Sequence, residues 1–454
     1  MKKKSKTSFV CSSCGHDSAK WLGRCPSCNN WNTFNEERFT KTAAPARQLT
    51  GFSSPVLKLS EVETNSFVRV KTGINEFDNM LGGGIAKGSL LLLGGAPGIG
   101  KSTLMLQVSG ALGALGKVLY VSGEESLSQV KSRAERLNVN TQNIYLASET
   151  NLQNIIDAVE NSAPEYLVVD SIQTMYHPEI TSAPGTVAQV RECAAELLRV
   201  SKSKNITVFL LGHVTKDGDI AGPRVLEHIV DTVLYFENER SHTYRFLRSH
   251  KNRFGPTSEV GIFEMLESGL AEVSNASELF LSERALKSAG NIVTPSMEGT
   301  RPILLEVQAL SARTAFGMPR RMVSGYDVNR VIIMIAVLEK RLGIALESQD
   351  VFVNIAGGVK VKETALDLAA ACAIVSSNAG FVCAQDISVF GEVGLSGEIR
   401  AVSFAEARLN EAEKLGFKKV IMPKANLKGL NYKGKIEILA ADTIDNAIKL
   451  LRGN

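Results

Sequence analysis

The chain has 454 residues, of which 44% are hydrophobic and 22% charged, and its formal net charge is +4. This composition excludes a chain-wide disordered protein and is typical of a folded chain with about two to four domains. The net charge is small, so any binding of nucleic acid must depend on local clusters of Lys and Arg. No apolar run approaches the roughly 18 residues of a membrane span, and no apolar signal segment follows the basic start, so we expect a cytoplasmic protein.

Two Cys-x-x-Cys pairs lie near the N-terminus, in a segment with little aliphatic content. They are Cys11 with Cys14 and Cys25 with Cys28, and ten residues separate them. Each pair can offer two thiolates to one tetrahedral Zn²⁺, which would supply stability that the small apolar content cannot. A redox role would need a thioredoxin-like context, and a disulfide is unusual in a cytoplasmic chain. We therefore predict a zinc ribbon over residues 1–35, whose partner is either nucleic acid or protein, and a linker over residues 36–55.

Strands and helices alternate in the next part of the chain, which we take as one domain over residues 56–280. The predicted elements are residues 90–93 (strand), 101–115 (helix), 117–122 (strand), 127–137 (helix), 144–146 (strand), 151–162 (helix), 166–170 (strand), 187–202 (helix) and 207–211 (strand). This alternation of strands and helices is typical of a doubly wound α/β domain with a parallel sheet.

The last part of the chain, residues 281–454, has a different pattern. Residues 278–300 carry Gly, Pro and Ser and are predicted as a short connection. The elements after it are residues 303–309 (strand), 327–342 (helix), 351–355 (strand), 363–377 (helix), a hairpin, 404–415 (helix) and a further βα unit. This mixture predicts an α+β domain.

A phosphate-binding motif stands between the first predicted strand and helix of the α/β domain. The segment Gly95-Ala-Pro-Gly-Ile-Gly100-Lys101-Ser102 matches G-x-x-x-x-G-K-[ST] in full. Its glycines let backbone N–H groups and the helix N-terminus face phosphate oxygens, and Lys101 adds positive charge. Ser102 and Asp170, which ends a buried strand, are placed to hold Mg²⁺. We expect ATP and Mg²⁺ as ligands, with nucleotide contacts from Gly95, Ala96, Pro97, Gly98, Ile99, Gly100, Lys101, Ser102, Thr103 and Asp170.

Two acidic residues, Glu124 and Glu125, directly follow the strand at 117–122. Parallel strands end at one edge of the sheet, so these carboxylates are expected beside the phosphate loop. Hydrolysis needs a carboxylate to orient water, although acidic residues are also common at helix N-termini because they suit the dipole. The position favours a catalytic role together with Lys101, and we prefer Glu124 to Glu125.

Three further motifs accompany the phosphate loop and the four-cysteine module. They are Ser122-Gly-Glu-Glu-Ser126, Gly212-His-Val-Thr215 and Lys251-Asn-Arg-Phe-Gly255. In this order they make the chain resemble the bacterial RadA (Sms) family of DNA-repair ATPases over essentially its whole length. The last motif is the most distinctive, and the others are shared with relatives of the RecA and replicative-helicase type. The resemblance implies a RecA-like P-loop core.

The resemblance also implies roles for Lys251 and Arg253. In such relatives the ATP sites lie between subunits, so these two residues are expected to reach the γ-phosphate held by a neighbouring subunit. There they would stabilise transition-state charge as catalytic residues acting in trans. A solvated basic turn is the alternative for a Lys-x-Arg pair without this family context.

A sensor and a DNA channel are implied by the same relatives. His213 follows the strand at 207–211, where they carry a polar residue that senses the γ-phosphate; a structural histidine is the alternative. Residues 173–185 and 215–224 leave the same sheet edge, and such loops line a channel for single-stranded DNA. Lys216 and Arg224 are the expected DNA backbone contacts.

Residues 281–454 resemble the proteolytic domain of Lon, mainly in the hairpin Gly391-Glu-Val-Gly-Leu-Ser-Gly397 and the following helix. Lon uses a Ser nucleophile and a Lys base, whereas this chain has Leu366 and Asp367 in the first region and Glu406 in the second. Arg408 lies nearby but cannot deprotonate to act as a base. We therefore expect no peptidase activity and a scaffold role.

Together these features predict a DNA-dependent ATPase that forms a homo-oligomeric ring, with a hexamer expected, and is associated with DNA. It would translocate on single-stranded DNA as a helicase and promote branch migration of recombination intermediates beside the RecA recombinase. One alternative is a nucleotide-dependent switch or loader that recruits repair partners without unwinding DNA. Another is an ATP-dependent protease of Lon type, which the residues at 366, 367 and 406 oppose.

Overall fold

The structure is a computed structural model that describes residues 6–11, 16–39, 58, 69–213, 223–238, 244–281, 288–315 and 317–453. The chain forms two compact units, one from Met1–Asn238 and Thr243–Glu272 and the other mainly from Val273–Asn454. Among the described residues, no helix combines the length and the apolar character needed to cross a membrane.

The N-terminal segment is a small antiparallel sheet of β1 (Lys6–Cys11), β2 (Asp17–Ser18) and β3 (Phe34–Phe39), in the order β2-β1-β3. Its core consists of Cys11, Cys25 and Phe34. Residues 36–39, which were expected to begin the linker, instead belong to β3, which pairs with β1 through Phe39. Charged residues make up half of β3, and that composition suggested a linker.

The α/β domain begins with a short pair, β4 (Arg69–Val70) and β5 (Ile85–Ala86), around α1 (Asn75–Met80). Its main sheet follows, with strands β6 (Leu90–Gly95), β7 (Val118–Ser122), β8 (Ile144–Ser148), β9 (Tyr166–Asp170), β10 (Thr207–His213), β11 (Thr232–Asn238), β12 (Tyr244–Asn252), β13 (Val260–Leu266) and β14 (Gly269–Glu272). Its helices are α2 (Lys101–Gly113), α3 (Leu127–Arg136), α4 (Leu152–Ser162), α5 (Val187–Lys204) and α6 (Pro223–Ile229).

The strand order is β14-β13-β12-β11-β6-β10-β9-β7-β8, parallel from β11 to β8 and antiparallel from β11 to β14. The doubly wound parallel sheet predicted from the sequence is confirmed. Strand β6 is buried on both faces of the sheet. Leu91 and Leu93 belong to one buried hydrophobic cluster, and Leu90 and Leu92 belong to another on the opposite face. A strand buried on both sides reads as a continuous apolar run.

The second unit comprises α7 (Ala276–Leu281), β15 (Asn291–Glu298), β16 (Arg301–Arg313), β17 (Arg321–Ser324), α8 (Val328–Leu342), β18 (Gln349–Ile355), α9 (Asp367–Ala379), β19 (Ile387–Val389), β20 (Glu392–Val393), β21 (Ile399–Arg400), α10 (Ala405–Lys414), β22 (Lys419–Pro423), β23 (Glu437–Ala441) and α11 (Ile444–Arg452). Seven strands form a mixed sheet in the order β17-β18-β16-β15-β19-β22-β23. The predicted α+β class is confirmed.

Two boundaries differ from the prediction. The second unit begins at Val273 rather than at residue 281, because α7 packs on β16. The predicted connection over residues 278–300 is wrong, since it contains β15, which pairs with β16 along its whole length. Its sequence includes Pro295 and Ser296, which weaken a strand pattern, yet the Thr294 and Ser296 side chains are fully buried.

Candidate ATP site and zinc centre

The phosphate loop joins the end of β6 to the start of α2. Gly98 and Gly100 have φ angles of 74° and 116°, in the left-handed region that other residues rarely adopt. A Cβ atom on Gly100 would lie 2.8 Å from the Cε atom of Met265. The loop therefore requires glycine at these positions, and its curled backbone fits phosphate oxygens at the N-terminus of α2.

Lys101 is the first residue of α2 and is only 4% exposed. Its Nζ atom donates hydrogen bonds to the carbonyl oxygens of Gly95 at 2.9 Å and Ala96 at 3.0 Å. Burial lowers the pKa of Lys101 to about 8, although the nearby carboxylates of Asp170 and Glu124 oppose this shift. The phosphate loop thus surrounds the Lys101 ammonium group and positions it to bind a phosphate.

ATP affinity is expected to fall as the pH rises above about 8, the pKa of Lys101 in the free protein. Phosphate binds the charged ammonium, so binding at higher pH must take up a proton, and each further pH unit costs up to about tenfold in affinity. Below that pH, Lys101 is already charged and its contribution is constant. Calorimetric titration of a non-hydrolysable ATP analogue from about pH 7 to about pH 9.5 measures this. If the dissociation constant of the wild type varied with pH as little as that of Lys101→Ala, the proposed role of the Lys101 charge would be contradicted.

Asp170 ends β9 and is buried beside the phosphate loop. It accepts a hydrogen bond from the Tyr120 hydroxyl at 2.7 Å and another from the Ser102 hydroxyl. Burial raises the pKa of Asp170, and these two hydrogen bonds act in the opposite direction. The structure therefore brings together the carboxylate and hydroxyl oxygens that the sequence predicted for Mg²⁺, and this oxygen donor set fits that ion. Sequence reasoning missed Tyr120, whose only signal is a polar tip within an apolar strand.

Glu124 and His213 form a hydrogen-bonded chain with Lys101. The Nε2 atom of His213 lies 2.9 Å from Glu124 Oε1, and its Nδ1 atom lies 3.2 Å from Lys101 Nζ. A proton on Nε2 accounts for both contacts, because the Lys101 ammonium can then donate to Nδ1. The Ser171 hydroxyl, which the sequence analysis missed, donates to the same oxygen of Glu124.

The surroundings of Glu124 keep its carboxylate charged. Burial acts to raise the pKa of Glu124, but hydrogen bonds from Ser171 and His213 and the positive charge of Lys101 hold it below its ordinary value. Glu125 has a different environment, because Arg133 on α3 forms an ion pair with its carboxylate. Of the two acidic residues, only Glu124 contacts the group around Lys101 that the structure describes.

The motif Lys251-Asn-Arg-Phe-Gly255 begins in the last residues of β12 and lies at the end of the sheet opposite the phosphate loop. Lys251 pairs in register with Val233 on β11, and the backbone N–H of Arg253 donates to the Asp231 carbonyl at 3.1 Å. Asp231 marks the start of β6, since its carboxylate accepts from the Leu90 N–H at 3.0 Å. Strand β6 has six residues and separates this edge from the loop by roughly 20 Å. Arg253 is therefore far from the phosphate loop of its own chain.

This segment is firmly held rather than a freely solvated turn. The Arg69 guanidinium donates to the Phe254 carbonyl, and the Phe254 N–H donates to the Asn252 side chain at 3.0 Å. Lys251 Nζ donates to the Val230 carbonyl at 2.8 Å, and burial lowers its pKa. The Arg253 side chain is nevertheless 55% exposed, so a neighbouring molecule can approach it.

The expected DNA-contacting residues are only partly within the described structure. Lys216 lies outside the described residues, and Arg224 is placed only by its backbone, at the start of α6. Residues 173–185 are described, and Gln189 on α5 holds part of this segment through the carbonyls of Ile180 at 3.1 Å and Ser182 at 2.9 Å.

The ribbon brings three of the predicted zinc ligands together. The sulfur atoms of Cys11, Cys25 and Cys28 all lie within 4.8 Å of one another, and Cys14 lies outside the described residues. Four thiolates at zinc-binding distance are separated by about 3.8 Å in a tetrahedron. The Cys11 and Cys28 sulfurs are 3.7 Å apart, so this cluster fits Zn²⁺.

The Lon-like positions of the second unit carry no Ser–Lys pair. Leu366 is fully buried, and the Glu406 carboxylate accepts a hydrogen bond from the backbone N–H of Asn431 at 2.6 Å. The buried Asp367 carboxylate is paired with Arg330. The first position is thus filled by a packed side chain and an ion pair, and the second by a carboxylate that accepts a hydrogen bond.

Comparisons with known proteins agree with this architecture. Residues 9–36 match a family model described as a rubredoxin metal binding domain, residues 56–219 an AAA domain, and residues 307–426 subunit ChlI of Mg-chelatase. The chain is 53% identical to the DNA repair protein RadA of Bacillus subtilis, with 99% of each chain covered. It is 50% identical to the DNA repair protein RadA of Listeria monocytogenes, with 99% of this chain and 98% of the relative covered. The chain therefore belongs to the DNA repair protein RadA family, with an AAA ATPase domain between a zinc ribbon and a Lon-like domain.

Proposed function

We propose that the chain hydrolyses ATP in response to DNA and works as a ring that translocates on single-stranded DNA, unwinds branched recombination intermediates and promotes their branch migration. The group formed by Lys101, His213, Glu124 and Ser171 carries the catalytic part of this proposal. In this group, His213 links the phosphate-binding ammonium of Lys101 to the charged carboxylate of Glu124 at the carboxyl ends of the parallel strands. The membership in a family of DNA repair proteins supports DNA as the partner.

Each residue has a defined role in the proposed reaction. The loop backbone and Lys101 bind the β- and γ-phosphates, and Glu124 orients the attacking water and accepts its proton. Ser102 and Asp170 would hold Mg²⁺, which would supply positive charge beside the phosphates. His213 contacts both Lys101 and Glu124, so it is placed to transmit a change at the phosphates to the segment that follows β10.

The ring part of the proposal rests on Lys251 and Arg253. They lie at the end of the sheet opposite their own phosphate loop, so any γ-phosphate that they contact must be bound by another copy of the chain. A head-to-tail contact between copies brings one chain's loop against the next chain's basic segment, and such contacts close into rings. We propose a hexamer of this kind, working beside the RecA recombinase, and no peptidase activity in the second unit.

The experiment that tests this function is steady-state ATP hydrolysis with and without single-stranded DNA. We expect stimulation by DNA that weakens between about 50 and about 200 mM salt, because backbone contacts release counterions. Lys101→Ala should hydrolyse ATP about 10³-fold more slowly than the wild type in either condition and controls for contaminating ATPases. An equal rate with and without DNA would reject the DNA-driven motor and favour a nucleotide-dependent switch that recruits repair partners.

A further inference from the structure

The zinc ribbon exposes both tryptophans of the chain. Trp21 and Trp31 are the two tryptophans in the sequence, and they are 52% and 69% exposed. Tryptophan is highly buried on average, and two large apolar rings in contact with water mark an interaction site when they lie together. The N-terminal cysteine cluster does not explain their exposure, because zinc binding requires only the sulfur atoms.

The two rings flank a single backbone position. A Cβ atom on Gly23 would lie 3.8 Å from the Trp21 ring and 3.9 Å from the Trp31 ring. The Trp21 indole N–H donates to the Phe34 carbonyl at 3.1 Å, which fixes the edge of this ring. The backbone N–H of Asn32 donates to the Gly23 carbonyl at 2.8 Å and joins the two segments that carry the rings. The rings are thus positioned before any partner arrives, which reduces the entropy lost on binding.

Each ring has a basic residue near it, with Lys20 beside Trp21 in the sequence and Arg24 over Trp31. Lys20 and Arg24 are the only charged side chains between Ser18 and Asn35 apart from the cysteine ligands. The Arg24 guanidinium lies over the Trp31 ring, 5.8 Å from its centroid, and its Nε atom donates to the Asn29 carbonyl at 3.1 Å. A cation beside an exposed aromatic ring suits a phosphate next to a stacked base.

We propose that the ribbon binds single-stranded nucleic acid by stacking bases on Trp21 and Trp31, with Lys20 and Arg24 contacting the adjacent phosphates. A protein partner is the other use of an exposed Trp–Arg pair. Protein hot spots sit in well-packed, desolvated pockets, whereas both of these rings are exposed and the charged residues near them, Lys20 and Arg24, are basic. The observations therefore favour bases and phosphates. The proposal rests on the proposed function in one respect, since it takes DNA as the partner, and it adds a contact outside the ATPase domain.

Intrinsic fluorescence tests the proposal directly, because all tryptophan emission of the full-length chain comes from these two rings. Titration with an oligothymidylate of about 20 nucleotides should quench this emission saturably, since each stacked base contacts a ring face. Trp21→Ala and Trp31→Ala should each weaken binding of the oligonucleotide by about tenfold, and the Phe variants by less. Arg24→Lys keeps the charge but loses the planar contact and should have an intermediate affinity.

Tyr145 provides a matched control, because it is another exposed aromatic residue beside a cation, with Lys117 Nζ at 5.1 Å from the centroid of its ring. Tyr145→Ala should bind the oligonucleotide like the wild type. Measured zinc content of each variant shows whether the ribbon is intact, and the Phe variants remain informative if an Ala variant loses its metal.

The outcomes separate this proposal from the proposed function. DNA-stimulated ATP hydrolysis with unquenched tryptophan emission, and unchanged DNA affinity in the Phe variants and in zinc-loaded Ala variants, would overturn the stacking site alone. Absence of any DNA binding or stimulation would overturn both. Loss of binding to the RecA recombinase in these variants, with DNA affinity intact, would show that the rings dock a protein instead.

Discussion

Glu124→Gln is expected to lower kcat for ATP hydrolysis by about 10² to 10⁴-fold and to leave ATP affinity within about threefold of the wild type. The amide has the shape of the carboxylate and can still accept hydrogen bonds from Ser171 and His213. It cannot accept a proton from water, so it removes an interaction that is needed only in the transition state. Steady-state hydrolysis and equilibrium binding of an ATP analogue measure the two effects separately.

Glu125→Gln is the matched control, because the same change is made at the adjacent residue. It weakens only the ion pair with Arg133, which is partly exposed, and should leave kcat within about twofold of the wild type. Equal loss of kcat in the two variants would reject the assignment of the water-orienting role to Glu124. A normal rate in Glu124→Gln with a large loss in Glu125→Gln would move that role to Glu125.

The parts of the site that the sequence predicts are those formed by neighbouring residues. The phosphate loop is a run of consecutive residues, so its pattern and the flanking strand and helix identify it directly. Asp170 and Glu124 could also be predicted, because strand ends in a parallel sheet meet at one edge. The register of β7 on β9, in which Ser122 pairs with Asp170, places both at that edge.

The parts that were missed depend on tertiary packing. Tyr120 lies in the middle of an apolar strand, and only the packing of β7 beside β9 brings its hydroxyl to Asp170. Ser171 follows Asp170 in sequence, but its contact with Glu124 depends on where two separate loops meet. Strand β15 was missed because its polar residues are buried within a sheet that no local pattern reveals.

The distance of Arg253 from its own phosphate loop could not be predicted from the sequence either. The family resemblance implied that it reaches the γ-phosphate held by a neighbouring subunit, and the register of β12 on β11 places it at the far end of the sheet from its own phosphate loop. Both statements hold together only if the ATP site takes residues from two copies of the chain. This requirement can be tested without knowing the structure of the assembly.

Lys101→Ala and Arg253→Ala are each expected to lose ATP hydrolysis by about 10³-fold alone, yet to regain activity when they are mixed. A shared site takes Lys101 from one subunit and Arg253 from its neighbour, so each variant supplies the residue that the other lacks. If subunits mix at random in equal amounts, about one quarter of the sites contain both intact residues, and about one quarter of the wild-type rate should return. The measurement is ATP hydrolysis after the two variants are mixed and allowed to exchange subunits.

Arg253→Ala is a suitable variant for this test because Asp231 keeps other partners. Its carboxylate still accepts from the Leu90 N–H and from Lys202 at 2.6 Å, so no buried charge is left unpaired. The control mixture combines Lys101→Ala with the double variant, which supplies no intact residue, and should stay inactive. If the first mixture also stays inactive while chromatography shows mixed oligomers, Arg253 does not act across a subunit boundary. A recovered rate near one quarter, in contrast, requires that the catalytic site be formed by two chains.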